Sequence, residues 1–109
     1  MTDCIFCSII AKEEGFLYED PWCVVIKDKY PQAKTHVLIL PKRHIESLYH
    51  IRPFSVELLI YKHMMSKVPF IAYELGLIHW TTKINTGAAS GQVINHLHVH
   101  LTSDQDLHQ

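Results

Sequence analysis

The sequence predicts one α+β domain, with an antiparallel sheet of about five strands, a short amino-terminal helix and one longer helix. Two strand-like stretches, 16–20 and 22–28, flank a turn at Asp20-Pro21. An amphipathic helical pattern begins at Ser55, and aliphatic residues alternate with histidines near the end of the chain. Hairpin-like strands followed by a long helix and two more strands are typical of this class, and 109 residues form a single domain, 1–109.

The remaining elements follow from the spacing of apolar residues and from turn signals. The spacing predicts a short helix over 4–14 that ends at Gly15, a buried strand over 35–41, and no assignment for 46–52. Pro69 should kink or end the longer helix, with a second apolar piece that continues to Gly76. The last predictions are a strand over 79–85, a flexible loop over 87–91 and a strand over 93–102.

Composition and charge exclude several classes of protein. The net charge is −1, from 10 basic and 11 acidic side chains, so no polybasic surface indicates nucleic acid or membrane binding. No apolar run approaches the length of a membrane span, and the first residues do not resemble a signal peptide. We therefore expect a cytosolic protein with reduced cysteines, in which Cys4 and Cys7 are metal ligands or packing residues rather than a disulfide.

The stretch INHLHVHLTS, 94–103, places His96, His98 and His100 on alternate positions. Alternate side chains of a strand point to opposite faces, so the aliphatics would face a core and the histidines the other side. A half-buried strand with its polar side in solvent is the simpler interpretation, but three histidines in strict alternation argue against it. The upstream loop, with glycines at 87 and 91, lets backbone amides approach an anion, and neutral imidazole can attack phosphorus.

At this point the chain resembles the histidine triad (HIT) family of nucleotide hydrolases and transferases. HLHVHLT is similar to the signature His-φ-His-φ-His-φ-φ of that family, where φ is an apolar residue. CIFCSIIAKE resembles its amino-terminal helix, DKYPQAKTHVLILPKRHI its central block, and NTGAASGQVINHLHVH its active-site block. The resemblance implies a HIT-like fold and hydrolysis or transfer at the α-phosphate of a nucleoside monophosphate conjugate, by an enzyme of the phosphoramidase or dinucleoside polyphosphate hydrolase class. It also implies a small purine nucleotide, AMP-like, as ligand.

The resemblance also implies roles for individual residues. His98 would be the nucleophile that forms a covalent nucleotidyl-imidazole, flanked by His96, and His100 and Gln92 would hold the α-phosphate with the backbone amide of His98. Asn85 would lie beside that phosphate. The nucleoside would be bound by Asp28 at the ribose hydroxyls and by four apolar residues at the base: Ile5, Phe6, Ile9 and Ile26. From the residues alone, core packing of the apolar side chains and a solvated turn for Asp28 remain equally open.

A structural zinc ion is the cofactor that the resemblance implies. Cys4 and Cys7 form a C-x-x-C pair, which alone is also compatible with packing thiols. Many bacterial members of the family combine such a pair with the histidine after Pro-Lys-x and the first histidine of the triad, which here are His44 and His96. No catalytic metal is implied. Cys23 is predicted to lie in the core, and no partner is predicted for five other histidines, which are His36, His50, His63, His79 and His108.

Two departures from the family pattern leave the reaction partly open. Val93 follows Gln92 where several members carry a hydroxyl, and Thr102 occupies the last signature position. The alternative function is therefore a nucleotide-binding or zinc-stabilised adaptor with little turnover. Family precedent and the apolar segment 56–75 also predict a homodimer, formed by the long helix and the neighbouring strand across a two-fold axis; a larger single-chain core is the alternative.

Overall fold

The computed structural model describes residues 4–107, so predictions for His108 and the first three residues lie outside the described part. It contains one five-stranded antiparallel sheet, with strands β1 (Phe16–Glu19), β2 (Cys23–Lys27), β3 (Thr35–Pro41), β4 (Thr81–Lys83) and β5 (Val99–Ser103). Their spatial order is β1-β2-β3-β5-β4. The α-helices are α1 (Ile5–Lys12), α2 (Val56–Ser66) and α3 (Val68–Glu74), with short 3₁₀ turns at Leu48–His50 and Ala88–Ser90. The predicted α+β class and sheet are confirmed.

Each face of the sheet carries its own helical layer, because the central strands are apolar on both sides. On one face, Val25, Ile39 and Leu101 pack with side chains of α2 and α3. On the other face, Val24, Ile26 and Leu38 pack against Phe6 of α1. We call the second surface the α1 face. Leu97, Val99 and Leu101 belong to the α2–α3 core, as their alternation with the histidines predicts.

The long helical segment is two helices rather than one. Ser55 caps α2, because its Oγ accepts a hydrogen bond from the amide of Leu58 at 3.1 Å. The chain breaks at Lys67, and α3 begins with Val68 and Pro69, since proline is tolerated in the first turn of a helix but not in its interior. Gly76, with φ of 77°, follows the end of α3.

The histidine strand is shorter than predicted. Pairing with β3 begins at Val99, whereas the prediction placed its start at residue 93. Residues 92–98 are held by other contacts, among them a hydrogen bond from the Leu97 amide to the Ile45 carbonyl at 2.6 Å. Similarly, β4 is shorter than the predicted 79–85: it pairs with β5 over Thr81–Lys83, and the amide of His79 donates to Gln105 Oε1 at 3.5 Å instead of to a strand. No helix within 4–107 is long and apolar enough to cross a membrane.

Candidate active site and metal centre

His98 lies at the centre of the α1 face, immediately before β5. Its Nδ1 is 2.7 Å from the backbone carbonyl of His96. Because a carbonyl only accepts, Nδ1 carries the hydrogen, and the lone pair of a neutral ring is then on Nε2. Phe6 packs edge-on against the ring at 5.1 Å between centroids, and His98 is 7% exposed. The fold therefore orients the His98 ring so that its neutral form has one nucleophilic nitrogen, Nε2.

His100 is oriented by a histidine on the neighbouring strand. The amide of Gln32 donates to His36 Nδ1 at 3.0 Å, so the hydrogen of a neutral His36 is on Nε2. That Nε2 lies 2.9 Å from His100 Nδ1 and 3.3 Å from Asp28 Oδ2. His100 Nδ1 is then the acceptor, which leaves its Nε2–H free to donate to an anion.

The electrostatic environment keeps His100 uncharged. Burial, followed by electrostatic interaction with His98, His36 and Lys83, lowers its pKa to about 4, although the Asp28 carboxylate acts in the opposite direction. At neutral pH, His100 is a hydrogen-bond donor without charge. It can hold a phosphate oxygen without protonating it.

The loop before the histidines is tightly held rather than flexible. Gln92 accepts from the amide of Gly87 at 2.9 Å, and it donates to the carbonyls of Glu46 and Ile94. Asn85 donates to the Ser90 carbonyl at 2.7 Å, across the 3₁₀ turn. Gly87 has a φ of 87°, a backbone conformation that would be strained for any residue with a side chain. Because both hydrogens of the Gln92 amide are engaged, a contact from this amide to phosphate requires one of these bonds to be exchanged.

A cavity of about 460 Å³ opens on the α1 face near the start of the sheet. It is lined by Ile9, Phe16 and Ile26, with Glu14 and Lys27 at its border. Phe6 packs instead against His98, and Ile5 lines a second cavity of about 360 Å³ beside Cys4 and His44. The cavity has the apolar character expected of a site for a flat aromatic ring, and Ile9 and Ile26 are the predicted base-contacting residues that line it.

The four predicted metal ligands come together. Cys4 caps the start of α1, where its Sγ accepts from the Cys7 amide at 3.3 Å. The ligand atoms of Cys4, Cys7, His44 and His96 all lie within 4.8 Å of one another. His96 Nδ1 lies 3.3 Å from Cys4 Sγ, 3.5 Å from Cys7 Sγ and 3.2 Å from His44 Nδ1. Ligands on a tetrahedral zinc ion are separated by about 3.3–3.8 Å, from bond lengths of about 2.0–2.3 Å.

The protonation pattern of this cluster also fits a cation. His96 Nε2 is 3.0 Å from the Pro41 carbonyl, so it donates there and directs the lone pair of Nδ1 into the cluster. Burial, then the hydrogen bond and charge of Cys4, raises the pKa of the Cys7 thiol to about 11, which disfavours paired thiolates without a compensating cation. Zinc would be held by these four side chains and would supply that charge.

Sequence reasoning missed partners of several histidines. His36 contacts His100 and Asp28, as described above, and therefore belongs to the site. His63 Nε2 lies 2.6 Å from Asp20 Oδ2, which joins α2 to the turn between β1 and β2. His50 contacts Ser47, and the His79 carbonyl accepts from Ser103. The period-two pattern of THVLILP puts residues 36, 38 and 40 on one face, but the strand register that brings His36 to His100 is not visible in the sequence.

The fold and site define an α+β domain of the histidine triad class. A family model described as "Scavenger mRNA decapping enzyme C-term binding" matches residues 3–109. Protein HitA of Neisseria gonorrhoeae is 46% identical over 104 residues, covering 93% of this chain and 95% of that protein. Adenylylsulfatase HINT3 of Arabidopsis thaliana is 40% identical over 106 residues, covering 92% of this chain and 51% of that protein.

Two solved structures extend the comparison. A HIT family hydrolase from Clostridium thermocellum superimposes with a TM-score of 0.87 at 34% identity, covering 100% of this chain and 96% of that one. A zinc-bound histidine triad family protein from Mycobacterium smegmatis gives a TM-score of 0.74 at 28% identity, covering 95% and 76%. The chain therefore belongs to the histidine triad family, as its sequence predicts.

Proposed function

We propose that this protein is a nucleotide hydrolase or transferase that acts on the α-phosphate of nucleoside monophosphate conjugates. The observation that carries the proposal is the His98 ring, whose Nδ1–H is committed to the His96 carbonyl at 2.7 Å. This contact leaves the lone pair of the neutral ring on Nε2, where it can act as a nucleophile. The hydrolase names of its relatives support the same reaction class.

The reaction proceeds in two displacements at phosphorus. His98 Nε2 attacks the α-phosphorus, and the bond to the leaving group breaks. The Nε2–H of His100 and the backbone amide of His98 stabilise the charge that develops on the non-bridging oxygens. Water then attacks the nucleotidyl-histidine, which releases the nucleoside monophosphate and the free imidazole. An acceptor other than water at this step gives transfer instead of hydrolysis.

The binding of the nucleoside follows from the surface around His98. A purine fits the apolar cavity bordered by Ile9 and Ile26, which supports an AMP-like ligand. Asp28 lies at the end of β2 near His100, where its carboxylate would accept from ribose hydroxyls. Zinc at Cys4, Cys7, His44 and His96 would be structural, because its ligands hold α1 against the segment that carries His98.

Covalent trapping tests this function. Wild-type protein mixed with the 4-nitrophenyl ester of AMP and quenched within one turnover should carry one AMP, located at His98 by peptide mass spectrometry. His98→Ala should form no adduct and lose about 10³-fold or more in kcat/KM, yet bind AMP within a few-fold of wild type. His50→Ala, at a half-exposed histidine outside the site, is the matched control. Turnover retained by His98→Ala excludes the mechanism, and AMP binding without any adduct or turnover favours the adaptor.

A further inference from the structure

A row of five directly paired residues crosses the whole sheet on the α1 face. Phe16 pairs with Ile26, Ile26 with Leu38, Leu38 with His100, and His100 with Lys83. Residues directly opposite each other in antiparallel strands project to the same face, with about 5 Å between neighbouring strands. The row therefore gives the order of chemical groups along the site.

The chemical character of the row changes from one edge of the sheet to the other. Phe16 and Ile26 line the apolar cavity, and His100 lies two strands away, about 10 Å from Ile26. Lys83, on the edge strand β4, ends the row. It is exposed, and no carboxylate within residues 4–107 lies within ion-pairing distance of its ammonium group. The positive charge of Lys83 acts on the phosphate-binding region, because this charge is among the causes that lower the pKa of His100.

This order indicates the side toward which a leaving group extends. A nucleotide with its base in the cavity and its α-phosphate at His98 and His100 extends from β2 to β5. Only β4 lies beyond β5, so a group bonded to the far side of phosphorus passes over Lys83. An ammonium group on a flexible stem is well suited to bind phosphate oxygens as a point charge.

The proton donors of the site do not favour a basic leaving group. The Nδ1–H of His98 is engaged by the His96 carbonyl, and the Nε2–H of His36 is directed at His100 Nδ1. Val93, after the loop, is 89% exposed and has no proton to give. An amine leaves only after protonation, whereas a phosphate leaves as an anion.

We propose that Lys83 selects substrates in which the leaving group is itself a phosphate or polyphosphate, joined to the nucleotide through a phosphoanhydride. This inference rests on the proposed function. The bond from His98 Nε2 to the α-phosphorus forms as the bond from phosphorus to the bridging oxygen breaks. The electron pair leaves with that oxygen, whose negative charge the Lys83 ammonium stabilises. Water later replaces His98 on phosphorus and gives one of its protons to solvent.

Two substrates with the same nucleotide test the proposal: diadenosine triphosphate, whose leaving group is ADP, and the 4-nitrophenyl ester of AMP. Lys83→Gln should lower kcat/KM for diadenosine triphosphate about tenfold, as expected for a charged hydrogen bond that is partly exposed, and less than twofold for the ester. Lys83→Arg should restore most of the loss, and 0.5 M salt should shrink the difference. Lys62→Gln, on exposed α2 at the other face, is the matched control. Equal losses on both substrates, or none on diadenosine triphosphate, overturn the proposal.

A binding measurement separates this proposal from the proposed function. Calorimetry should show that Lys83→Gln weakens ADP about five- to tenfold relative to AMP, because only ADP places a second phosphate over β4. An unchanged ratio of ADP to AMP affinity overturns the role of Lys83 even if the His98 adduct forms normally. Conversely, absence of the adduct in wild-type protein rejects the covalent mechanism, while the affinity ratio still decides the role of Lys83.

Discussion

At the scale of single residues, hydrogen bonds to the backbone determine which ring nitrogen of each histidine carries the hydrogen. The His96 carbonyl, the Pro41 carbonyl and the Gln32 amide each fix the tautomer of one histidine. In the proposed function, His98 would be the nucleophile, His96 a metal ligand and His36 the donor that orients His100. Such assignments depend on main-chain geometry, which explains why neighbouring histidines with identical side chains behave differently.

The orienting role of His36 predicts a measurable pKa. In His36→Leu, the pKa of His100 should rise from about 4 partway toward the ordinary value of about 6.5. The electrostatic interaction with His36 and one hydrogen bond to the neutral ring are lost, while burial remains. Nitrogen-15 NMR of the histidine rings against pH measures it, and His50→Leu is the control. An unchanged His100 pKa contradicts the orienting role.

The same pKa has a consequence for stability. The unfolded chain binds a proton at His100 below about pH 6.5, whereas the folded chain does so only near pH 4. The unfolded state therefore binds more protons between these values, and stability falls as pH decreases through that window. The higher His100 pKa in His36→Leu should raise the lower limit of this pH window, so stability should depend less on pH. The free energy of unfolding, measured by chemical denaturation at pH 7, 6 and 5, tests this.

The face of the sheet on which a residue lies could be predicted better than the residues that it contacts. The alternation HLHVHL places Leu97, Val99 and Leu101 in the core as predicted. The sequence also places Cys4 and Cys7 one helical turn apart, which is why their proximity to each other could be predicted. The contact between His36 and His100 spans 64 residues and depends on the register of β3 with β5, which no local pattern encodes.

At the scale of elements, the Cys/His cluster joins three parts of the chain. It connects the first turn of α1 to His44, which follows β3, and to His96, which precedes β5. The predicted strand 93–102 starts late at Val99 because its first half runs beside this cluster and the 85–92 loop instead of pairing with β3. Local alternation predicted an extended chain there but not the contacts that replace sheet pairing.

Zinc removal tests this connection. Protein purified without chelator should contain about one zinc per chain, and Cys7→Ser should contain much less. Loss of the metal should lower the Tm by about 5 °C or more, since a change of about 1 kcal/mol in stability shifts the Tm of a small domain by several degrees. Cys23→Ala, which removes the buried thiol outside the cluster, should keep its zinc. Equal metal content in Cys7→Ser and wild type, by elemental analysis, rejects the site.

At the scale of the whole molecule, some of the apolar side chains in the segment 56–75 are buried in the core of the single chain. Ile60, Met64, Val68 and Ile71 lie in the core. The outward side of the helices nevertheless exposes other apolar residues, which are Val56, Leu59, Phe70 and Tyr73. Leu59 and Val56 also line an apolar cavity of about 300 Å³ with Trp22. The exposed apolar patch formed by Trp22, Val56 and Leu59 is of a kind that is typical of a protein interface.

The homodimer predicted from the sequence would bury the exposed side of the long helical segment and pair the outer edge of β4 across the two-fold axis. The side chain of Lys83 would stay accessible there, because it projects to the α1 face like that of its pair His100. The sheet ends at Thr81–Lys83, whose outer backbone groups have no neighbouring strand within residues 4–107. Light scattering at micromolar concentration should give twice the 12.7 kDa of one chain. Leu59→Glu should shift the protein to monomer, because a self-complementary interface places the charge twice near the two-fold axis. Val93→Glu adds the same charge beside the metal cluster, away from the exposed side of α2, and should leave the dimer intact. A wild-type mass near 12.7 kDa would favour the larger single-chain core instead.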